Sequence, residues 1–211
     1  LYNYSTTRKV NLNSMIEHSK SVRKGIKKSL MVVDMPYQTY RNKFEALKNA
    51  KKVMKLTKCD AVKLEGGSKI KKVIEYLVKK NIPVMGHLGL LPQSTRGKFK
   101  FKGKTVLEKI KIMKDAQLLE KLGVFSIVLE CVETSLSKKI TNSLKIPTIG
   151  IGSSIYCDGQ VLVTDDLLGL NVTKIRFVKK FADMRKLINQ GVKKFKLEVM
   201  SKKYPSKKHS Y

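Results

Sequence analysis

PVMGHLG at residues 83–89 and SIVLE at residues 126–130 are short apolar runs that end in a polar or glycine-rich tip. Three further runs have the same form: LMVVD at 30–34, AVKLEGG at 61–67 and PTIGIG at 147–152. A parallel strand that is buried on both faces reads as a nearly unbroken apolar run. The runs therefore predict successive strands of a parallel sheet, with their polar tips at one shared edge.

Segments with helical spacing of apolar residues separate these runs, at about 14–24, 40–57, 69–80, 105–122 and 132–144. Alternating strands and helices predict a parallel α/β sheet with crossover helices. We expect the fold to be a TIM (β/α)8 barrel, with a possible sixth strand at 160–163. Eight strands close such a barrel, so we expect the opening strands to lie before Leu1. Residues 1–211 then form a single, partial barrel domain, with C-terminal helices at about 172–199 and a basic tail at 200–211.

The composition limits the possible partners. The chain has 211 residues and a net charge of +29, which can indicate a nucleic-acid partner. The positive charge is almost all lysine and is spread over nearly every segment, whereas phosphate and base recognition favours arginine. We therefore expect a solvated basic surface and no specific nucleic acid. The sequence also predicts no membrane span. The spacing of its three cysteines matches no metal-ligand pattern, which indicates reduced thiols in a cytoplasmic protein.

Charged side chains at the tips of the first two runs are candidates for chemistry. Asp34 ends the first run and is either a turn cap or a ligand for a hard cation such as Mg²⁺. Lys63 and Glu65 lie two residues apart in one strand, so they point to the same side of the sheet. They form either a structural ion pair or part of a site, and Gly66-Gly67 directly after them favours a site.

The third and fourth runs contribute His87 and Glu130. His87 is either a core histidine or a substrate contact, and the neighbouring Gly86 and Gly89 indicate that something approaches the backbone closely. Glu130 follows a wholly apolar run, where a carboxylate is poorly hydrated and therefore a stronger base. The alternative role for Glu130 is a charge at the start of the next helix. We favour the base.

Several longer motifs, in the same order along the chain, resemble ketopantoate hydroxymethyltransferase. They are DMPY at 34–37, DAVKLEGG at 60–67, IPVMGHLGLLPQS at 82–94, VLECV at 128–132, IPTIGIG at 146–152, CDGQVLV at 157–163 and DDLLGL at 165–170. The resemblance implies a Mg²⁺-dependent TIM barrel. It also implies transfer of a hydroxymethyl group from methylene-tetrahydrofolate to 3-methyl-2-oxobutanoate, which gives 2-dehydropantoate on the way to pantothenate and coenzyme A. It further implies small-molecule substrates, a cytoplasmic location and a homo-oligomer, typically a decamer.

The same resemblance implies roles for individual residues. Asp34 matches a metal carboxylate that also lies beside the substrate, and Glu65 matches a further metal ligand. Lys63 matches the substrate-binding lysine, and His87 matches a histidine of the substrate pocket. Glu130 matches the proton acceptor.

The family pattern also includes a Gly-Asp-Ser motif, with one more metal carboxylate, ahead of the segment where this chain starts. We therefore expect the sequence to be N-terminally incomplete, and a chain without this motif to fold poorly or bind Mg²⁺ weakly. Three alternatives remain open: an inactive, decayed relative; a basic nucleic-acid-binding protein; and a different metal-dependent barrel with aldol-type chemistry.

Overall fold

The structure is a computed structural model that describes residues 6–95, 100–172 and 175–211. Its centre is a six-stranded sheet in which all the strands are parallel and follow one another in chain order. The strands are β1 (Val32–Asp34), β2 (Ala61–Glu65), β3 (Val84–Gly89), β4 (Ser126–Glu130), β5 (Thr148–Ile151) and β6 (Gly159–Gln160). This is the α/β arrangement that the apolar runs predict.

The helices are α1 (Leu12–Gly25), α2 (Lys43–Thr57), α3 (Lys71–Lys79), α4 (Val106–Lys121), α5 (Thr134–Ser143), α6 (Thr164–Leu167) and α7 (Met184–Met200), with short 3₁₀ helices at Thr7–Lys9, Ser68–Ile70 and Lys207–His209. Four of the helices, α2 to α5, connect successive strands, while α1 precedes the sheet and α6 and α7 follow it. Capping side chains fix several starting points. The Asn42 side chain accepts hydrogen bonds from the backbone N–H groups of Phe44 and Glu45 at the start of α2, which otherwise have no helical partner.

The two sides of each strand differ in chemistry. Along β2, Val62 and Leu64 are fully buried in the hydrophobic core, while Lys63 between them points to the other side. Ile74 of α3 and Leu119 of α4 belong to the same core. Side chains alternate along a strand. Because Val62 and Leu64 face the hydrophobic core, Lys63 and Glu65 face the opposite side of the sheet, together with the other polar side chains of the strand tips.

The register of the sheet brings the polar tips into one row. Asp34 is opposite Lys63, and Glu65 is opposite His87. Glu130 at the end of β4 is opposite Gly89 of β3. The carboxyl ends of four neighbouring strands therefore place these residues at one edge of the sheet.

Two predicted elements differ from the structure near the C-terminus. The sixth strand is only Gly159–Gln160, because Val163 already caps α6, a short helix that the sequence pattern did not predict. The last helix begins at Met184 rather than near residue 172, because Asp183 caps it by accepting a hydrogen bond from Lys186 N.

The chain divides into two compact units, Leu1–Val161 and Leu162–Tyr211. The first unit contains the sheet and α1–α5, and the second contains α6 and α7. That the whole chain forms one catalytic domain stays a prediction. Within the described ranges, none of the helices combines the length and apolar character needed to cross a membrane.

Candidate active site

A continuous series of polar contacts runs along the carboxyl ends of β1, β2, β3 and β4. Lys63 Nζ lies 3.0 Å from Asp34 Oδ1 and 3.2 Å from His87 Nδ1. His87 Nε2 in turn lies 3.2 Å from Glu130 Oε2. We refer to Asp34, Lys63, His87 and Glu130 as the strand-end cluster.

The contact between Lys63 and His87 fixes the state of the imidazole ring. A lysine ammonium has only donors, so Nδ1 of His87 must accept this hydrogen bond. A neutral ring then carries its proton on Nε2. Burial lowers the pKa of His87, Lys63 lowers it further, and the carboxylates of Glu130 and Asp34 oppose this shift. His87 is therefore a neutral donor at Nε2 near physiological pH.

The Nε2 atom of His87 lies close to a carboxylate oxygen but forms no well-aligned hydrogen bond with it. Its distance to Glu130 Oε2 is short enough, but within the described part of the chain this buried atom has no partner of acceptable geometry. We therefore treat the contact as electrostatic. A buried donor without a partner is costly, so Nε2 is available to a group that enters the site.

Glu65 has a different environment from Glu130. Its side chain is buried, and its Oε2 accepts a hydrogen bond of 3.0 Å from the backbone N–H of Gln93. Burial raises the pKa of Glu65 from 4.5 to about 7. The Gln93 hydrogen bond and Lys63 lower it, while Asp34 and Glu130 raise it. The repulsion from Asp34 and Glu130 shows that the three carboxylates influence one another at this edge of the sheet.

Gln93 supports this edge through its own side chain. Its Nε2 donates to Met35 O at 2.9 Å, and its Oε1 accepts from Tyr40 Oη at 2.8 Å. Burial raises the pKa of the Tyr40 phenol, so Tyr40 stays a neutral donor. The sequence interpretation missed both residues. The one available signal was the PQS stretch at 92–94, directly after β3.

Close approach of protein atoms explains two of the glycines at the strand tips. A Cβ on Gly67 would lie 2.3 Å from Cγ of Asp115, whose Oδ1 accepts a hydrogen bond from Ser68 N. Gly89 has φ +95°, and a Cβ there would lie 2.2 Å from the Glu130 carbonyl oxygen. The sequence interpretation took the glycines around His87 as a sign of substrate contact, but at Gly89 the approaching group is the neighbouring strand. Asp115, on α4, was also missed.

The strand-end cluster brings together four of the five residues that the sequence singled out, and the fifth, Glu65, lies opposite His87 in the same sheet. Together these five residues comprise three carboxylates (Asp34, Glu65 and Glu130), a neutral donor (His87) and a cation (Lys63). Such a set suits proton removal next to a carbonyl group, with positive charge available for the anion that forms.

The acidic residues at this edge of the sheet are also candidates for a metal site. Within residues 6–95, 100–172 and 175–211, no group of three or more His, Cys, Asp or Glu side chains is arranged to hold a metal ion. Mg²⁺ commonly takes one or two carboxylates and completes its shell with water and substrate oxygens. Asp34 ends β1 and Glu65 ends the neighbouring strand β2, and both carry hard oxygen donors. These two residues therefore fit Mg²⁺ as a partial ligand set.

Comparison of the sequence with known families and proteins gives a consistent result. Residues 1–207 match the family model described as ketopantoate hydroxymethyltransferase. The chain is 63% identical over its full length to a 3-methyl-2-oxobutanoate hydroxymethyltransferase of Pelagibacter ubique, and it covers 82% of that protein. It is 44% identical, over 99% of its length and 77% of the relative, to the protein of the same name from Carboxydothermus hydrogenoformans.

Solved structures are similar in fold at low sequence identity. A 2,3-dimethylmalate lyase of the PEP mutase/isocitrate lyase superfamily matches with a TM-score of 0.51 at 9% identity, over 70% of this chain and 54% of the other. An oxaloacetate acetylhydrolase matches with a TM-score of 0.50 at 7% identity, over 71% of this chain and 54% of the other. Together with the successive parallel strands, these matches confirm the predicted TIM-barrel type of α/β fold.

Proposed function

The chain belongs to the ketopantoate hydroxymethyltransferase family, and from this premise we propose how its residues carry out the reaction. The overall reaction transfers a hydroxymethyl group to 3-methyl-2-oxobutanoate. One methylene-tetrahydrofolate and one water are consumed, and tetrahydrofolate and 2-dehydropantoate are formed, which is the first step of pantothenate synthesis. The strand-end cluster is the observation that supports this proposal.

Glu130 is the general base. The hydrogen on C3 of the keto acid is acidified by the adjacent ketone, and Glu130 accepts this proton while the bonding electrons form an enolate. The Glu130 side chain is 17% exposed and its Oε2 lies 3.2 Å from His87 Nε2, so it is held beside the group that would bind the substrate oxygen. The methylene carbon then exchanges its two bonds to folate nitrogens for one bond to the enolate carbon and one bond to the oxygen of the water. The proton taken up by Glu130 and one proton of the water end on the two folate nitrogens.

Lys63 and His87 bind and orient the keto acid. The Lys63 ammonium stabilises negative charge on the enolate oxygen or the substrate carboxylate, and it does so from a position that is fixed before the reaction. The unpaired Nε2–H of His87 donates a hydrogen bond to a substrate oxygen. Asp34 holds Lys63 in place through the 3.0 Å ion pair.

Asp34 and Glu65 are the residues that would hold Mg²⁺. When bound, Mg²⁺ supplies Lewis-acid stabilisation of the keto oxygen. Glu65 must then be ionised, although burial raises its pKa to about 7. We also propose the homo-oligomeric state and the cytoplasmic location that the family resemblance implies.

Proton exchange tests the proposal directly. In D₂O, the enzyme should exchange the C3 proton of 3-methyl-2-oxobutanoate for deuterium without any folate, as followed by NMR. Glu130→Gln should lower the exchange rate by about 10²–10⁴-fold, the range that a positioned general base contributes. Glu17→Gln, an exposed change on α1, is the matched control and should leave exchange unchanged.

Two outcomes would contradict the proposal. If wild-type protein forms no 2-dehydropantoate from the two substrates with Mg²⁺, the chain does not carry the activity of its family. If product forms but Glu130→Gln exchanges at the wild-type rate, the base is another residue.

A further inference from the structure

The loop that follows β3 lies against the ends of three other strands. Leu90 N donates a hydrogen bond of 2.8 Å to Glu130 O at the end of β4. Gln93 N donates one of 3.0 Å to Glu65 Oε2 at the end of β2. The Gln93 side chain reaches the end of β1, two strands away in the sheet, where its Nε2 donates to Met35 O at 2.9 Å. This short loop therefore contacts the ends of β1, β2 and β4.

The side chain of Gln93 is held in one orientation. It is only 9% exposed, and both ends of its amide have a partner. The Nε2 atom donates to Met35 O, and Oε1 accepts a hydrogen bond of 2.8 Å from Tyr40 Oη. An amide nitrogen only donates and an amide oxygen only accepts, so a flipped amide would lose both hydrogen bonds. The side chain is therefore a fixed bridge between the loop after β3 and the segment after β1.

The two ends of this bridge carry the two carboxylates that would hold Mg²⁺. Asp34 directly precedes Met35, whose carbonyl oxygen accepts the hydrogen bond from the Gln93 side chain. Glu65 accepts the hydrogen bond from the Gln93 backbone through Oε2. Within the described residues, Oε1 of Glu65 accepts no hydrogen bond, so this oxygen remains available to a cation. One residue thus connects the backbone beside Asp34 to the carboxylate of Glu65.

We propose that Gln93 is a positioning residue that sets the spacing between Asp34 and Glu65 for Mg²⁺. This inference rests on the proposed function. Mg²⁺ needs a nearly ideal octahedral arrangement of oxygens, so a change in the distance between two carboxylates weakens its binding. Tyr40 acts through Gln93, because its hydroxyl group holds the amide oxygen and so keeps Nε2 directed at Met35 O. Neither Gln93 nor Tyr40 is itself a metal ligand in this proposal.

Metal binding to the full chain tests this proposal without requiring turnover. The probe is Mn²⁺, which takes the same oxygen ligands as Mg²⁺ and whose free form is measured by its EPR signal, with Mg²⁺ added as a competitor. Gln93→Met keeps a side chain of similar length but removes both side-chain hydrogen bonds. We expect the Kd for Mn²⁺ to rise by about 10–100-fold, the usual effect of removing a group that orients metal ligands.

Two further variants show whether the effect acts through the proposed residues. Tyr40→Phe removes one of the two hydrogen bonds and should raise the Kd for Mn²⁺ by about threefold. In the Gln93→Met background, Tyr40→Phe should cause no further rise, since Tyr40 acts only through Gln93. Glu65→Gln should also weaken Mn²⁺ binding, and an unchanged Kd in this variant would overturn the inference by placing the metal elsewhere.

Thr57→Ala is the matched control for lost stability. Thr57 is also buried, and its hydroxyl group also forms two hydrogen bonds, one donated to Val53 O and one accepted from Cys59 N. It precedes the amino end of β2, whereas Glu65 lies at the carboxyl end. Thr57→Ala should lower the free energy of unfolding in urea, as Gln93→Met does, but leave the Kd for Mn²⁺ unchanged.

The results separate this inference from the proposed function. An unchanged Kd in Gln93→Met, or an equal rise in Thr57→Ala, would overturn the positioning role, since Gln93 would then contribute to stability alone. Either result leaves the proposed function intact, because wild-type protein still binds the metal and deuterium exchange tests Glu130 separately. Absence of Mn²⁺ binding by wild-type protein would overturn both this inference and the proposed Mg²⁺ site.

Discussion

Glu65 and Glu130 both end strands of one parallel sheet, but their surroundings give them different chemistry. Glu130 lies beside the neutral imidazole of His87 and remains partly exposed. Glu65 is buried, accepts a hydrogen bond from a neutral backbone amide, and is repelled by two other carboxylates, so that its pKa rises to about 7. The comparison shows that position at a strand end does not determine the role of a carboxylate. We propose that Glu130 accepts a proton from substrate, whereas Glu65 forms no ion pair within the described residues and only the more distant Lys63 opposes the rise in its pKa.

Lys63 lies close to the surroundings of both carboxylates. Its replacement should therefore have the largest effect on activity. It contacts Asp34 and His87 and lowers the pKa of Glu65. Lys63→Met keeps most of the side-chain volume but removes the charge that stabilises the enolate in the proposed mechanism. We expect kcat/KM for the keto acid to fall by about 10²–10³-fold, measured by steady-state kinetics. Lys51→Met, an exposed control on α2, should be neutral, and a loss below about threefold in Lys63→Met would exclude the proposed role.

The substitution Glu65→Gln tests whether the ionised form of Glu65 destabilises the fold. The folded pKa of about 7 lies above the value of 4.5 for an unperturbed Glu, so the folded state binds this proton more tightly. Ionisation of Glu65 therefore destabilises the fold progressively as pH rises from 4.5 to 7, by about 3 kcal/mol above pH 7. Glu65→Gln removes this penalty.

Urea unfolding with a chelator present measures this effect at two pH values. We expect Glu65→Gln to be more stable than wild type by about 3 kcal/mol at pH 8 and by less than about 1 kcal/mol at pH 5. The titration of His87 is common to both proteins and cancels in the difference. A stability difference that does not depend on pH would show that Glu65 is ionised without penalty.

The smallest effects concern the support of Glu65 by Gln93 and Tyr40. Gln93→Ala removes hydrogen bonds to Met35 O and from Tyr40 Oη, and should destabilise the fold by about 2 kcal/mol. Tyr40→Phe removes only one of them and should cost about 1 kcal/mol. In a double-mutant cycle measured by urea unfolding, Tyr40→Phe should cost almost nothing once Gln93 is Ala. Additive losses would mean that the two side chains act independently.

The sequence predicted the parts of this site that depend on strand periodicity. Apolar runs located the strands, and the two-residue alternation placed Lys63 and Glu65 on one side of β2. The contributions of Gln93 and Asp115 were not predictable in this way, because they reach the strand tips from a loop and from α4. The raised pKa of Glu65 depends on burial and on neighbours from other strands. The start of α7 was missed because one cap, Asp183, outweighs the apolar pattern before it.

The chain-order arrangement of the six strands has a consequence for biosynthesis. Each of the strands β2 to β5 pairs with the strand made just before it and the one made just after it, so the sheet can grow by one strand at a time as the polypeptide leaves the ribosome. Newly made segments need not wait for a distant partner, and this shortens the time during which each open strand edge is exposed to other chains.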